Sequence, residues 1–155
     1  MKSGKIAELD VFDNKILAIL ANEGRLTITE LASRVGLSTS PCQVRLKRLT
    51  EEGYILGFRA LLNPAKMEME HIAFTMVELS NTTEQGLDDF NREVMKIPEV
   101  ETCHMTAASF DYLLKVRTRD IQAYRRVLGE AISKLPHVAS TSTYVAMESV
   151  KDIFS

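Results

Sequence analysis

Apolar residues recur at helical spacing from early in the chain. Leu9, Phe12, Ile16, Leu17 and Leu20 predict an amphipathic helix from about Asp10 to Asn22. Gly24 follows where a left-handed residue commonly closes a helix. Thr27-Ile28-Thr29-Glu30 has the spacing of a capping box: the Thr27 hydroxyl accepts from an amide three residues on, and the Glu30 carboxylate reaches back. Ile28, Leu31, Ala32 and Val35 then form one face of a short second helix that stops at Gly36. Ser40, Pro41 and Gln43 give a further start signal, with Ser40 as cap and Pro41 in the first helical position. The third helix should run to about Glu52 and end at Gly53. Beyond it, Tyr54–Leu62 is rich in β-formers and ends at Asn63-Pro64, which reads as a strand or wing closing a first domain, 1–64. Ala65–Glu70 is the hinge candidate before a second domain, 65–155.

The pattern changes in the second half. Ile72–Leu79 is strand-like and apolar on both faces, and Tyr112, Leu114 and Val116 alternate with Leu113, Lys115 and Arg117. Leu87, Phe90 and Val94 mark a helix capped by Thr82 or Thr83, and Ile121, Tyr124, Leu128, Ile132 and Leu135 mark another. Each closes on a similar motif, Ile97-Pro98-Glu99-Val100 and Leu135-Pro136-His137-Val138, and each motif opens a strand. The order is therefore β-α-β-β-α-β, a ferredoxin-like duplication with helices on one face of the sheet. Its other face needs a cover, and a second copy of the chain is the natural one. The fold class is α+β: a winged helix-turn-helix, then a βαββαβ domain.

Three short helices, the last two joined by a short turn with a glycine, match the helix-turn-helix pattern. At 100° per residue, Cys42, Leu46, Leu49 and Gly53 of the third helix share one inward sector. Ser40, Val44, Lys47, Arg48 and Glu51 lie opposite, with Arg45 on a flank. Lys47 and Arg48 suit phosphates or guanine edges, and Val44 suits a thymine methyl. Together with the hydroxyls at the helix starts, Thr27, Ser38 and Thr39, these residues (Ser40, Val44, Arg45, Lys47 and Arg48) make up the DNA-contact set.

Charge supports this placement. The net charge is −2, yet residues 1–64 carry 9 Lys/Arg against 7 Asp/Glu, whereas residues 65–155 carry 10 against 14. A basic patch on an otherwise acidic chain points to a polyanion met at one place.

Other chemistries find no foothold in the sequence. Hydrophobic residues at 45% and charged residues at 26% are ordinary for a globular protein, and no apolar run approaches the roughly 18 residues of a membrane span. No apolar segment follows Met1–Lys5, so no secretory signal is expected and the expected compartment is the cytoplasm. Cys42 and Cys103 stand far apart, and His71, His104 and His137 show no ligand spacing. Cys103 and His104 are adjacent in a strand and point to opposite faces, which prevents a shared metal. No phosphate loop and no hydrolase or metalloprotease motif is present, so neither catalytic residues nor a metal or cofactor are expected.

The chain resembles the Lrp/AsnC family of transcription regulators from Leu9 to Lys151. The markers are Leu9-Asp10…Asp13…Ile16-Leu17, Gly24-Arg25-Leu26-Thr27, Glu30-Leu31-Ala32…Arg34-Val35-Gly36-Leu37-Ser38, Ser40-Pro41-Cys42…Arg45…Lys47-Arg48-Leu49, Gly57–Pro64, Phe110–Val116 and Tyr144-Val145…Met147-Glu148…Val150-Lys151. The resemblance implies that the C-terminal domain is of the ACT-like (RAM) kind and senses a small amino acid, with leucine the first expectation and proline among those behind it. It also implies homodimers that assemble into tetramers or octamers on double-stranded DNA in the nucleoid. The effector is expected between dimers, against a hairpin loop that corresponds here to Thr106, Ala107, Ala108, Ser109, Phe110, Asp111 and Tyr112, with Thr141 and Thr143 opposite. Ala108 stands where the family loop has glycine, and it disfavours positive φ there. Asp111 has two readings, an acceptor for the effector's ammonium or a turn residue holding its own hairpin. Two rival functions use the same scaffold: a tetrapyrrole decarboxylase, and an architectural protein that binds DNA without an effector.

Overall fold

The computed structural model describes residues 8–152. The opening residues, where no secretory signal is expected, fall outside them. The chain forms two compact units, one ending at Ala60 and the other beginning at Leu61.

The first unit holds α1 (Val11–Asn22), α2 (Ile28–Val35) and α3 (Thr39–Glu51). α1 opens with a reciprocal cap: the Asp10 carboxylate accepts from the amides of Phe12 at 2.8 Å and Asp13 at 2.9 Å, while Asp13 accepts from the Asp10 amide at 3.1 Å. α2 opens on the expected Thr27–Glu30 box and closes on Gly36, whose φ of 85° suits a residue without Cβ. Ile16, Leu31, Val35, Cys42 and Leu49 meet in the core, each at most 1% exposed. Burying an aliphatic side chain of this size stabilises the fold by roughly 1.5–3 kcal/mol.

Three local expectations are corrected in this unit. Gly24 is not a left-handed cap, because Glu23 closes α1 at φ −135°. The glycine serves close approach instead, since a Cβ there would lie 3.2 Å from the Phe58 ring. α3 begins at Thr39 rather than after Ser40, with Ser38 at the cap position and no side-chain cap bond. Pro41 is accommodated because the first-turn amides have no intrahelical acceptor in any case. Finally, Tyr54–Leu62 forms no strand. The Tyr54 and Ile55 amides both donate to the Leu49 carbonyl, and Leu56 is 97% exposed. β-propensity alone does not make a strand where no edge offers a hydrogen-bonding partner.

The second unit contains β1 (His71–Leu79), α4 (Glu84–Val94), β2 (Val100–Met105), β3 (Tyr112–Thr118), α5 (Ile121–Glu130) and β4 (Val138–Val145). A compact turn precedes β1, with the Met69 amide donating to the Pro64 carbonyl at 2.9 Å. The sheet is antiparallel with order β2-β3-β1-β4, as expected for the βαββαβ repeat. Thr83 caps α4 through the Gly86 amide. The last helix is shorter than the apolar spacing predicts: α5 ends at Glu130, and a single 3₁₀ turn, Ile132–Lys134, carries Ile132 into the core.

Alternation along each strand sorts the two faces. Ala73, Val77, Tyr112, Leu114 and Val116 pack beneath the helices with Phe90, Val94, Tyr124, Ile132 and Leu135. On this face the Tyr124 hydroxyl bonds Thr75 at 2.8 Å and Thr143 at 2.5 Å. The opposite face carries Ile72, Phe74, Met76, Leu113 and Tyr144. One end of it is covered by the chain itself, where Asp152 and Glu101 pair with both Lys115 and Arg117. Phe74 and Tyr144 stay 39% and 66% exposed.

Candidate nucleic-acid interface and effector loop

α3 is anchored on the core by Cys42 and Leu49, with Leu46 packed beside them, which leaves its other sides to solvent and to α1. The α1 side holds a cluster of four charges. Arg45 bonds Asp10 at 2.6 Å and Asp13 at 2.8 Å, and Arg48 bonds Asp13 at 2.6 Å. The Arg45 guanidinium also lies 5.5 Å from the centre of the Phe12 ring. The Asp13 side chain is only 1% exposed. Burial opposes its ionisation, but the Arg48 bond, the Asp10 amide and Arg45 outweigh it and hold the carboxyl down at about 2. Hydrogen bonding to Asp13 in turn raises the pKa of both arginines.

The eight DNA-contact candidates therefore divide. Ser38, Thr39, Ser40 and Val44 are exposed, and Lys47 extends into solvent at 74% side-chain exposure with Glu51 at 3.7 Å. Arg48 was expected to stand free opposite the core. It is instead drawn to the α1 side and tethered, as is Arg45 on the flank. Thr27 is exposed, but its hydroxyl already accepts from the Glu30 amide and donates to the Glu30 carboxylate. Two features escaped the sequence reading. Asp10 at the cap and Asp13 in the first turn of α1 stand three residues apart, as Arg45 and Arg48 do on α3, a spacing that puts each pair on one side of its helix start or helix. Gln43, read as part of a cap, lies one turn beyond Ser40 and one before Lys47, and is exposed.

In the second unit, residues 106–111 form the β2–β3 hairpin loop. The Thr106 amide donates to the Asp111 carbonyl at 2.8 Å and the Thr106 hydroxyl to the Phe110 carbonyl at 2.7 Å. The Asp111 amide donates to the Val77 carbonyl, and its carboxylate accepts from the Leu79 amide at 2.7 Å. Asp111 thus fastens the hairpin to β1. Ala108 and Ser109 are exposed, and Ala108 turns without positive φ. Tyr112 faces inward at 2% exposure, its ring 4.3 Å from that of Phe90, and burial pushes its hydroxyl pKa up. Thr141 and Thr143 pair with Val77 and Thr75 across β1. They are two strand spacings from β3, about 10 Å, and share its helix-covered face. Within one chain Thr141 and Thr143 thus lie across β1 from the loop, whose Asp111 bonds Val77, the partner of Thr141.

Among the described residues no group of three or more His, Cys, Asp or Glu is placed to hold a metal, and no helix is long and apolar enough to cross a membrane.

Residues 72–154 match the Lrp/AsnC ligand binding domain, and residues 9–55 match a winged helix-turn-helix DNA-binding domain. The chain belongs to the Lrp/AsnC family. It is 61% identical, over 97% of its length and 96% of the relative's, to a proline dehydrogenase transcriptional activator of Rhizobium radiobacter. It is 43% identical to the leucine-responsive regulatory protein of Escherichia coli K12, over 93% and 88% of the two chains. A transcriptional regulator of Neisseria meningitidis, solved in complex with L-Met, superposes with a TM-score of 0.86 at 33% identity, covering 94% of each chain. This Lrp/AsnC protein is accordingly a DNA-binding transcription regulator with a ligand-binding domain, and not an enzyme.

Proposed function

We propose that this regulator controls a gene of amino-acid degradation, that the gene encodes a proline dehydrogenase, and that proline is its effector. The supporting observation is the 61% identity to a proline dehydrogenase activator over nearly the whole chain. Leucine, the first expectation from the resemblance, and methionine, bound by the Neisseria regulator, become the comparison compounds.

In this reading residues 1–64 bind duplex DNA in the bacterial nucleoid, and residues 65–155 sense the effector and assemble the protein. The exposed Phe74 and Tyr144 on the open sheet face favour a homodimer built there. Dimers join into tetramers or octamers with the effector at their seam, against Thr106, Ala108, Ser109, Phe110 and Asp111. An effector acts on transcription only by binding one assembly or DNA-bound state better than another.

The test combines thermal-shift screening against the twenty amino acids, light scattering, and footprinting on DNA upstream of the host's proline dehydrogenase gene. A proline-specific shift with a changed footprint is expected. A footprint insensitive to every amino acid would establish an architectural protein instead, and a leucine-specific response would replace proline.

A further inference from the structure

The tethering of Arg45 and Arg48 leaves open which side chains of α3 read bases. Arg45, whose Nη1 bonds both Asp10 and the buried Asp13, and Arg48, whose Nη2 bonds Asp13, must each break charge-assisted bonds before addressing a guanine edge. The residues that need break nothing of this kind are Ser40, Gln43, Val44 and Lys47, spaced i, i+3, i+4 and i+7 and all exposed. They form one continuous outward strip. Lys47 is a point charge suited to phosphate, Ser40 a short hydroxyl, and Val44 an apolar contact. Gln43 alone on this strip carries an amide, whose donor and acceptor sit on separate atoms and can bond a base edge at two points. It is the fifth residue of α3, within the N-terminal half that a recognition helix inserts into the major groove.

Building on the DNA-binding role of α3, we propose that Gln43 is a specificity-determining residue that reads an adenine in the major groove. Its amide matches adenine N7 and N6, the acceptor and donor that together distinguish A·T from the other pairs. Val44, one residue on, lies beside it to meet a neighbouring thymine methyl. The strip therefore specifies an A·T-containing step in each half-site. The arginine–aspartate cluster beside it sets the orientation of the helix rather than the base.

The experiment is selection from a randomised duplex pool with the full-length chain, its Gln43→Ala variant and its Gln43→Glu variant. Circular dichroism checks that each variant is folded. Wild type is expected to enrich a motif with an invariant adenine in each half-site. In both variants that one column should lose its adenine while the others persist. On the wild-type site Gln43→Ala should weaken binding roughly 10- to 100-fold, with little further loss on sites already altered at that adenine. Retention of the adenine by either folded variant, or a uniform loss across all sequences as for a phosphate contact, overturns the proposal. A wild-type chain that enriches no motif overturns sequence reading by α3 and this assignment with it.

Discussion

Arg48 and Asp13 form an ion pair of 2.6 Å, linking the outer side of α3 to an α1 carboxylate that is almost wholly enclosed. The pair adds to the packing of Cys42 and Leu49 in fixing the rotation of α3 about its axis. A buried carboxylate is costly unless compensated, and here two arginines and a capping amide supply the compensation.

The first prediction concerns acid stability. Asp13 titrates at about 2 in the folded chain against an ordinary value of 3.8. Its depressed pKa adds stability that is fully present above about pH 4 and is lost as pH falls toward 2. The contribution is on the order of 2 kcal/mol. Urea unfolding of wild type between pH 5 and pH 2.5 should show this decline, and Asp13→Asn should flatten it while lowering stability at pH 7. Equal pH slopes in the two proteins would remove Asp13 from this role.

Lys47 and Arg48 should separate DNA binding from folding. Lys47 is 74% exposed and pairs only loosely with Glu51, so Lys47→Ala should leave the unfolding midpoint nearly unchanged. Its effect on DNA should be uniform across sequences, with the salt slope of binding shallower by about one. Arg48→Ala should lower the unfolding midpoint, because it removes a hydrogen-bonded partner of the buried Asp13 charge. A gel-shift series over salt concentration beside denaturant titrations measures both.

What the sequence reveals differs between the two units. The limits of β3 follow from alternation alone, since Tyr112, Leu114 and Val116 had to share a face; that Tyr112, grouped with the effector loop, packs inward on Phe90 depends on a helix that alternation does not describe. The α2 cap was equally readable, because Thr27 and Glu30 satisfy each other within four residues. Arg48 was misplaced because a helical wheel sorts one helix by its own angles. It says nothing of a neighbouring helix whose acids reach round to claim a long side chain. Tyr54–Leu62 failed as a strand for a related reason: pairing is a property of two segments, and propensity belongs to one. At the effector loop the residues were locatable, but the fastening of Asp111 to Leu79 depends on a contact 32 residues away in sequence.

Tyr124 offers a test of the second unit's interior. Its hydroxyl joins Thr75, which is fully buried, to Thr143 on β4. Tyr124→Phe keeps the ring and removes both bonds, leaving the Thr75 hydroxyl without its partner. The expected loss is about 1–3 kcal/mol, measured by denaturant unfolding, with DNA affinity of the folded chain unchanged. A variant as stable as wild type would show that the hydroxyl chain adds nothing.

Asp111 separates fastening from sensing through two substitutions. Asp111→Asn keeps a side-chain oxygen able to accept from the Leu79 amide, so the hairpin should stay in place and the unfolding midpoint should move little. It loses the negative charge that a bound amino acid's ammonium would require, so the amino-acid response should vanish while operator binding persists. Asp111→Ala removes both functions and should in addition cost about 1 kcal/mol of stability. Calorimetric titration with proline, leucine and methionine, run beside thermal unfolding, tells the cases apart. If Asp111→Asn responds to the effector as wild type does, the carboxylate serves the hairpin alone, and the ammonium must be met by the backbone carbonyls or hydroxyls of the loop.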